Sequence, residues 1–154
     1  MRKRGKTMPM MKNVASAVTK RLPRVLSPKG HAIADYLTAG AFFIAAALFW
    51  RRNRRAALGS LVCGGADLAL SLLTDYPGGV TDVISFPTHC KIDVGLAAMV
   101  AEMPRFMKFE DDKEKKFFVL QGSGIIGAAN LTDFDRPRYL WQERLEHERE
   151  RRAA

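Results

Sequence analysis

Apolar residues along this chain gather into four blocks: 32–50 (AIADYLTAGAFFIAAALFW), 56–73 (AALGSLVCGGADLALSLL), 92–107 (IDVGLAAMVAEMPRFM) and 117–131 (FFVLQGSGIIGAANL). The polar stretches RRNRR, TDYPGGVTDVISFPTH and KFEDDKEKK connect them. The first block holds 19 residues, and as a helix it spans roughly 28 Å, close to the apolar thickness of a bilayer. Its apolar positions run right round the helix instead of forming one stripe, as expected of a helix with no watery face. Trp50 followed by RRNRR has the character of an aromatic and basic anchor at a membrane interface. The pattern predicts an all-α chain, a four-helix transmembrane bundle. A glycine-rich soluble bundle is the competing reading, because all four blocks carry polar interruptions.

Glycine weighs against the soluble reading. Gly59, Gly64, Gly65, Gly122, Gly124 and Gly127 fall inside the expected helices, and each interior glycine costs a soluble helix about 1 kcal/mol relative to alanine. Between helices in lipid, the same small residues let backbones approach closely.

A repeat underlies the blocks. HAIAD at 31–35 and HCKID at 89–93 each open with histidine and carry aspartate four residues later, displaced by 58 positions. Leu73-Thr74-Asp75-Tyr76 recurs as Leu131-Thr132-Asp133-Phe134 with the same displacement, and Gly64 falls on Gly122. Several unlike residue types keep one register without a gap, which indicates two tandem two-helix repeats, 29–76 and 87–134. Flanking them are a basic tail, 1–28, and a charged tail, 135–154. Two copies that each cross twice are expected to be related by an axis along the membrane normal.

The repeat places the polar groups. If RRNRR is a hairpin tip, His31 and Asp75 lie at equal depth, and the second repeat behaves alike. His31, Asp35, Thr74, Asp75, His89, Asp93, Thr132 and Asp133 are therefore expected in one layer, on the side holding both termini. On a helix, i and i+4 share a face, so each histidine stacks beside its own aspartate. Asp35 and Asp93 sit in first helical turns, where the dipole stabilises a carboxylate, whereas Asp75 and Asp133 sit where it does not. An ionisable residue at membrane depth is a functional hypothesis by default. In the plainer reading the aspartates accept hydrogen bonds that lock one repeat to the other. The sharper readings are a metal site built from His31, His89, Asp35 and Asp93, which suits Zn, Mn or Fe chemistry, or a relay of protons or small ions. No HExxH or ExxH helix pattern is present. No catalytic residue and no cofactor are assigned.

Asp67 and Glu102 have no counterpart at the 58-residue displacement, and each is expected to face the bundle interior or an interface. Cys63 and Cys90 fall roughly 15 Å apart in depth, beyond disulfide reach. GSGIIG lies within an apolar block and is not a dinucleotide fingerprint.

Charge adds a neighbour and an orientation. The chain carries 25 Lys and Arg against 16 Asp and Glu, and nine of the basic residues precede the first acid, Asp35. In the N-terminal tail Met11, Val14, Ala15, Val18 and Leu22 follow helical spacing with lysines opposite, the pattern of a helix lying on anionic lipid head groups. No apolar core separates its charges from a cleavage site, so a secretory signal is not expected. The side holding both termini and the middle connection carries 16 basic residues against 9 opposite, which puts both termini in the cytoplasm of a multi-pass cell-membrane protein. An organellar membrane is the lesser alternative. The tail YLWQERLEHERERR reads as a solvated helix. Beyond the bilayer, a homo-oligomer or another membrane protein is the expected partner, and specific nucleic-acid binding is not expected.

The stretches HAIADYLTAGAFFIAAALFW, SLLTDYPGGV and FPTHCKIDVGLAAMVAEMP resemble the small bacterial and archaeal integral membrane proteins called SPW-repeat proteins. The likeness covers about residues 29–134 and leaves out both tails. It implies a helical membrane domain of tandem two-helix repeats without an established biochemical activity. At the naming tripeptide the chain departs: Met103-Pro104-Arg105 stands where Ser-Pro-Trp is expected, and the first repeat has Ala45-Ala46-Ala47. Two classes of function follow, a non-enzymatic membrane module with a structural polar layer, or a metal-binding or ion-relaying protein that uses that layer.

Overall fold

The structure, a computed structural model, describes residues 24–133 and 149–153. The amphipathic N-terminal segment, Phe134 and most of the charged C-terminal tail lie outside those residues. The chain is mostly helical. Among the described residues four long helices, α1 (Pro28–Phe49), α2 (Arg54–Leu72), α3 (Phe86–Phe106) and α4 (Asp112–Leu131), run between short connections. Helix α1 packs along α2 and α3 along α4, and the two hairpins meet through α2 with α3 and α1 with α4.

Each start has a local cause. Ser27 caps α1 by accepting from the Gly30 backbone N–H at 3.1 Å, and Pro28 follows where its missing N–H costs nothing. Asn53 caps α2 through Ala56 N–H, and Asp111 caps α4 through Lys113 N–H. The third and fourth helices start earlier than the apolar blocks suggested. Phe86 to Lys91 is helical because Ser85 and Pro87 open a helix there, and DKEKK is helical because Asp112 and Glu114 suit a first turn. Helix α3 ends in a Schellman turn: Phe109 N–H donates to Pro104 C=O at 2.8 Å, with Lys108 at φ 54°. A left-handed lysine is unfavourable by roughly 1 kcal/mol. Lys108→Gly should therefore raise the unfolding free energy by roughly 0.5–1 kcal/mol, read from the denaturation midpoint.

The connection between hairpins departs from the all-helical expectation. Two-residue strands β1 (Thr74–Asp75) and β2 (Ile84–Ser85) pair in parallel, and Leu26 bridges Thr132 in the same sense. Carbonyls beyond the last helical turn need donors. Ile84 N–H supplies Leu73 C=O and Leu26 N–H supplies Leu131 C=O, both at 2.9 Å.

The 58-residue displacement recurs throughout this geometry. Moved by 58, both ends of α1 and α2 fall on those of α3 and α4 to within one residue. The bridge Leu26–Thr132 likewise becomes Ile84–Thr74 once the hairpins are exchanged. Within each hairpin one glycine brings the backbones together. A Cβ on Gly64 would lie 3.3 Å from Ala39 C=O, and one on Gly122 would lie 2.9 Å from Ala97 C=O. Gly59 also faces packed side chains, but Gly65, Gly124 and Gly127 look into open space. The expectation that all six glycines pack between helices is therefore corrected to three.

Candidate functional site

At the end of the bundle where α1 and α3 begin, four buried side chains converge. His31 and Asp35 come from α1, His89 and Asp93 from α3; one nitrogen or oxygen from each lies within 4.8 Å of all the others. The i, i+4 spacing brings each histidine to its own aspartate, with His31 Nε2 3.5 Å from Asp35 Oδ1 and His89 Nε2 3.3 Å from Asp93 Oδ2. The crossed distances are shorter: His31 Nε2 to Asp93 Oδ2 is 3.1 Å and His89 Nε2 to Asp35 Oδ2 is 3.2 Å. The two Nε2 atoms are 3.3 Å apart. Both histidines are wholly buried, Asp93 is 1% exposed and Asp35 7%.

The far nitrogens of the rings are held by threonines. His31 Nδ1 lies 2.8 Å from Thr132 Oγ1, and His89 Nδ1 lies 2.7 Å from Thr74 Oγ1. Thr132 donates its hydroxyl proton to Ala128 C=O and Thr74 donates to Leu70 C=O, both at 2.6 Å. With those protons committed, each hydroxyl oxygen can only accept from the ring, so both Nδ1 atoms carry hydrogen. The threonines thereby assign the tautomer: in the neutral rings both Nε2 lone pairs point into the cluster. The two histidine–threonine contacts each join one hairpin to the other.

Tyr76 and Phe86 complete the enclosure. Tyr76 O–H donates to Asp35 Oδ2 at 3.0 Å, and its ring lies 5.2 Å from that of His89. The Phe86 ring stands edge-on to His31 at 5.4 Å. Sequence reasoning missed Tyr76 because its counterpart is Phe134, so the repeat did not single out a hydroxyl. Burial pushes the Tyr76 phenol above its ordinary range. Cys90 Sγ lies 4.0 Å from His31 Nε2; its counterpart by displacement is Ala32. Cys63 and Cys90 are both free thiols.

Of the eight residues expected in the polar layer, six meet here. Asp75 and Asp133 follow the two threonines, are half-buried, and do not belong to the converging group. Asp67 is buried, with Oδ2 lacking a hydrogen-bond partner among the described residues. Glu102 instead lies on the outside of α3, 3.6 Å from Arg105, which removes it from the interior.

The opposite end of the bundle carries a second polar contact that the repeat did not signal. Arg52, in the first hairpin tip, pairs with Asp111 in the second and lies 3.5 Å from Glu114 Oε1. Glu114 is wholly buried, and its carboxylate oxygens have no hydrogen-bond partner among the described residues. Lys113 N–H and then the Arg52 guanidinium hold the Asp111 carboxyl below the usual carboxylate range, and Asp111 raises Arg52 in turn. This pair is solvent-facing and contributes little.

No family model matches the chain, and neither a curated protein nor a solved structure does.

Proposed function

We propose that this chain is a small integral membrane protein, four helices crossing as two duplicated hairpins, and that it acts as a non-enzymatic membrane module. The exposed surface carries this reading. Large apolar side chains stand outward on every helix: Leu37 and Leu48 on α1, Val62 on α2, Val94 on α3, Leu120 on α4. Exposed apolar side chains on all four helices suit a lipid surround better than water. Helices α1 and α2 are long and apolar enough to cross a membrane, and only 33% of the apolar stretch of α1 is buried. Helices α3 and α4 have matching lengths, 21 and 20 residues, close to the roughly 20 needed for a span. Their charges reduce their own hydropathy: Asp93 faces the cluster, those of α4 lie in DKEKK at its start, and Lys91, Glu102 and Arg105 stand exposed on α3. The resemblance to SPW-repeat proteins rests on the quoted stretches, and membership belongs to this proposal.

Within that reading the His/Asp cluster is the joint between the hairpins. It lies at the cytoplasmic side, which holds both termini by the excess of basic residues. The basic N-terminal tail then faces anionic lipid head groups, and a second copy or another membrane protein is the partner to look for. Reporters inserted at Asn53 and Asp111 should be found outside, and reporters at Asp82 and after Ala154 inside. Asn53 and Asp82 on one side of the membrane would end the two-hairpin topology.

A further inference from the structure

We infer that His31, Asp35, His89 and Asp93 form a closed, four-coordinate site for one divalent transition-metal ion of zinc's class. The inference rests on the reading of this cluster as the joint between the hairpins and names what the joint holds.

The distances carry it. A tetrahedral ion bound at about 2.0–2.1 Å separates its ligand atoms by about 3.3–3.4 Å. Five nitrogen–nitrogen and nitrogen–oxygen separations are 3.1, 3.2, 3.3, 3.3 and 3.5 Å, with Asp35 facing His31 through Oδ1 and His89 through Oδ2, and one ligand atom from each of the four residues lies within 4.8 Å of all the others. Hydrogen bonding explains this less well, because the two nearest nitrogens face one another. If every contact were imidazolium to carboxylate, two N–H groups of like charge would meet at 3.3 Å.

The surroundings agree independently. A metal-bound histidine characteristically donates its other N–H to an oxygen that fixes the tautomer. Thr132 and Thr74 do this for His31 and His89, and are themselves anchored to backbone carbonyls. Asp93 Oδ1 is buried beside the ligating oxygen, without a hydrogen-bond partner among the described residues. Two carboxylates balance one dication, so the filled site is neutral within an apolar setting. Imidazole with carboxylate suits zinc and its neighbours better than magnesium or calcium, which favour oxygen donors alone. With four protein ligands and no open position the ion is structural, in keeping with a non-enzymatic module.

The test uses the full-length protein purified in detergent, stripped with a chelator and dialysed against ZnCl2, with bound zinc measured by mass spectrometry. Elution and circular dichroism establish that each sample is folded. One zinc per chain is expected for the wild type and for the exposed control Glu102→Gln. His31→Gln and Asp93→Asn should each weaken binding at least tenfold. Thr132→Val leaves all four ligands in place yet should weaken it roughly 10–100-fold, so it decides the matter if the ligand variants do not fold. The wild-type melting temperature should rise with free zinc, while that of Asp93→Asn should not. Absence of zinc from folded wild type overturns the inference, as does binding that the three variants leave unchanged. Neither result touches the joint itself, which is tested in chelator by the stability of Asp35→Leu.

Discussion

Asp35→Leu should lower the unfolding free energy by about 2–3 kcal/mol, measured in detergent with chelator present. The carboxylate of Asp35 stands 3.2 Å from His89 Nε2 and 3.5 Å from His31 Nε2, and accepts the Tyr76 hydroxyl. Leucine leaves the Tyr76 hydroxyl without its acceptor and takes the carboxylate away from two wholly buried imidazoles. Leaving a buried partner unsatisfied costs about 1–3 kcal/mol, more when the survivor is charged. Asp35→Asn retains one acceptor oxygen and should cost about half as much. Thermal melting followed by circular dichroism separates the two variants. If Asp35→Leu melts like the wild type, the cluster does not join the hairpins.

Gly122→Ala should be the costlier member of a matched pair. The added methyl would sit 2.9 Å from the Ala97 carbonyl oxygen and 3.4 Å from the Ala101 nitrogen, both backbone atoms. Rotamer changes cannot relieve such contacts, so α4 must move away from α3. Overpacking of this kind costs about 1–3 kcal/mol. Gly124→Ala, two residues along the same helix, meets nothing within 4 Å and should be neutral or stabilising by up to about 1 kcal/mol. Equal denaturation midpoints for the two would contradict the close approach of α3 and α4. Gly64→Ala extends the comparison to the first hairpin, where Phe42 Cβ would lie 2.8 Å away.

Much of this arrangement was legible in the sequence because the repeat carried unlike residues in one register. Histidine, aspartate and threonine kept their spacing, so a common depth could be inferred without coordinates. Depth alone does not say which aspartate lies nearer which histidine. The shorter crossed contacts between His31 and Asp93 and between His89 and Asp35 depend on how the hairpins dock, which periodicity does not encode. The parallel bridges were hidden for the same reason: Thr74–Ile84 and Leu26–Thr132 pair backbone groups, leaving no side-chain pattern. Counting glycines overstated their packing, since composition does not tell the inward Gly122 from the outward Gly124. The sequence places Glu114 in a charged linker because it stands among lysines, yet it is wholly buried beside Arg52.

The reciprocal threonine contacts bear on how the chain is made. When the ribosome has released only the first hairpin, His31 has no hydroxyl to meet, because Thr132 has yet to be translated. Thr74 is equally early for His89. The newborn hairpin must hold a histidine and an aspartate without their final partners for the time taken to synthesise some fifty more residues. In the membrane topology proposed above, such a state is tolerable only where water can reach those groups, near the mouth of the membrane and not at its centre. The position of the cluster at the ends of α1 and α3, not halfway along them, meets that requirement. Under that topology the two halves, expressed as separate polypeptides, should find one another only after both have been inserted.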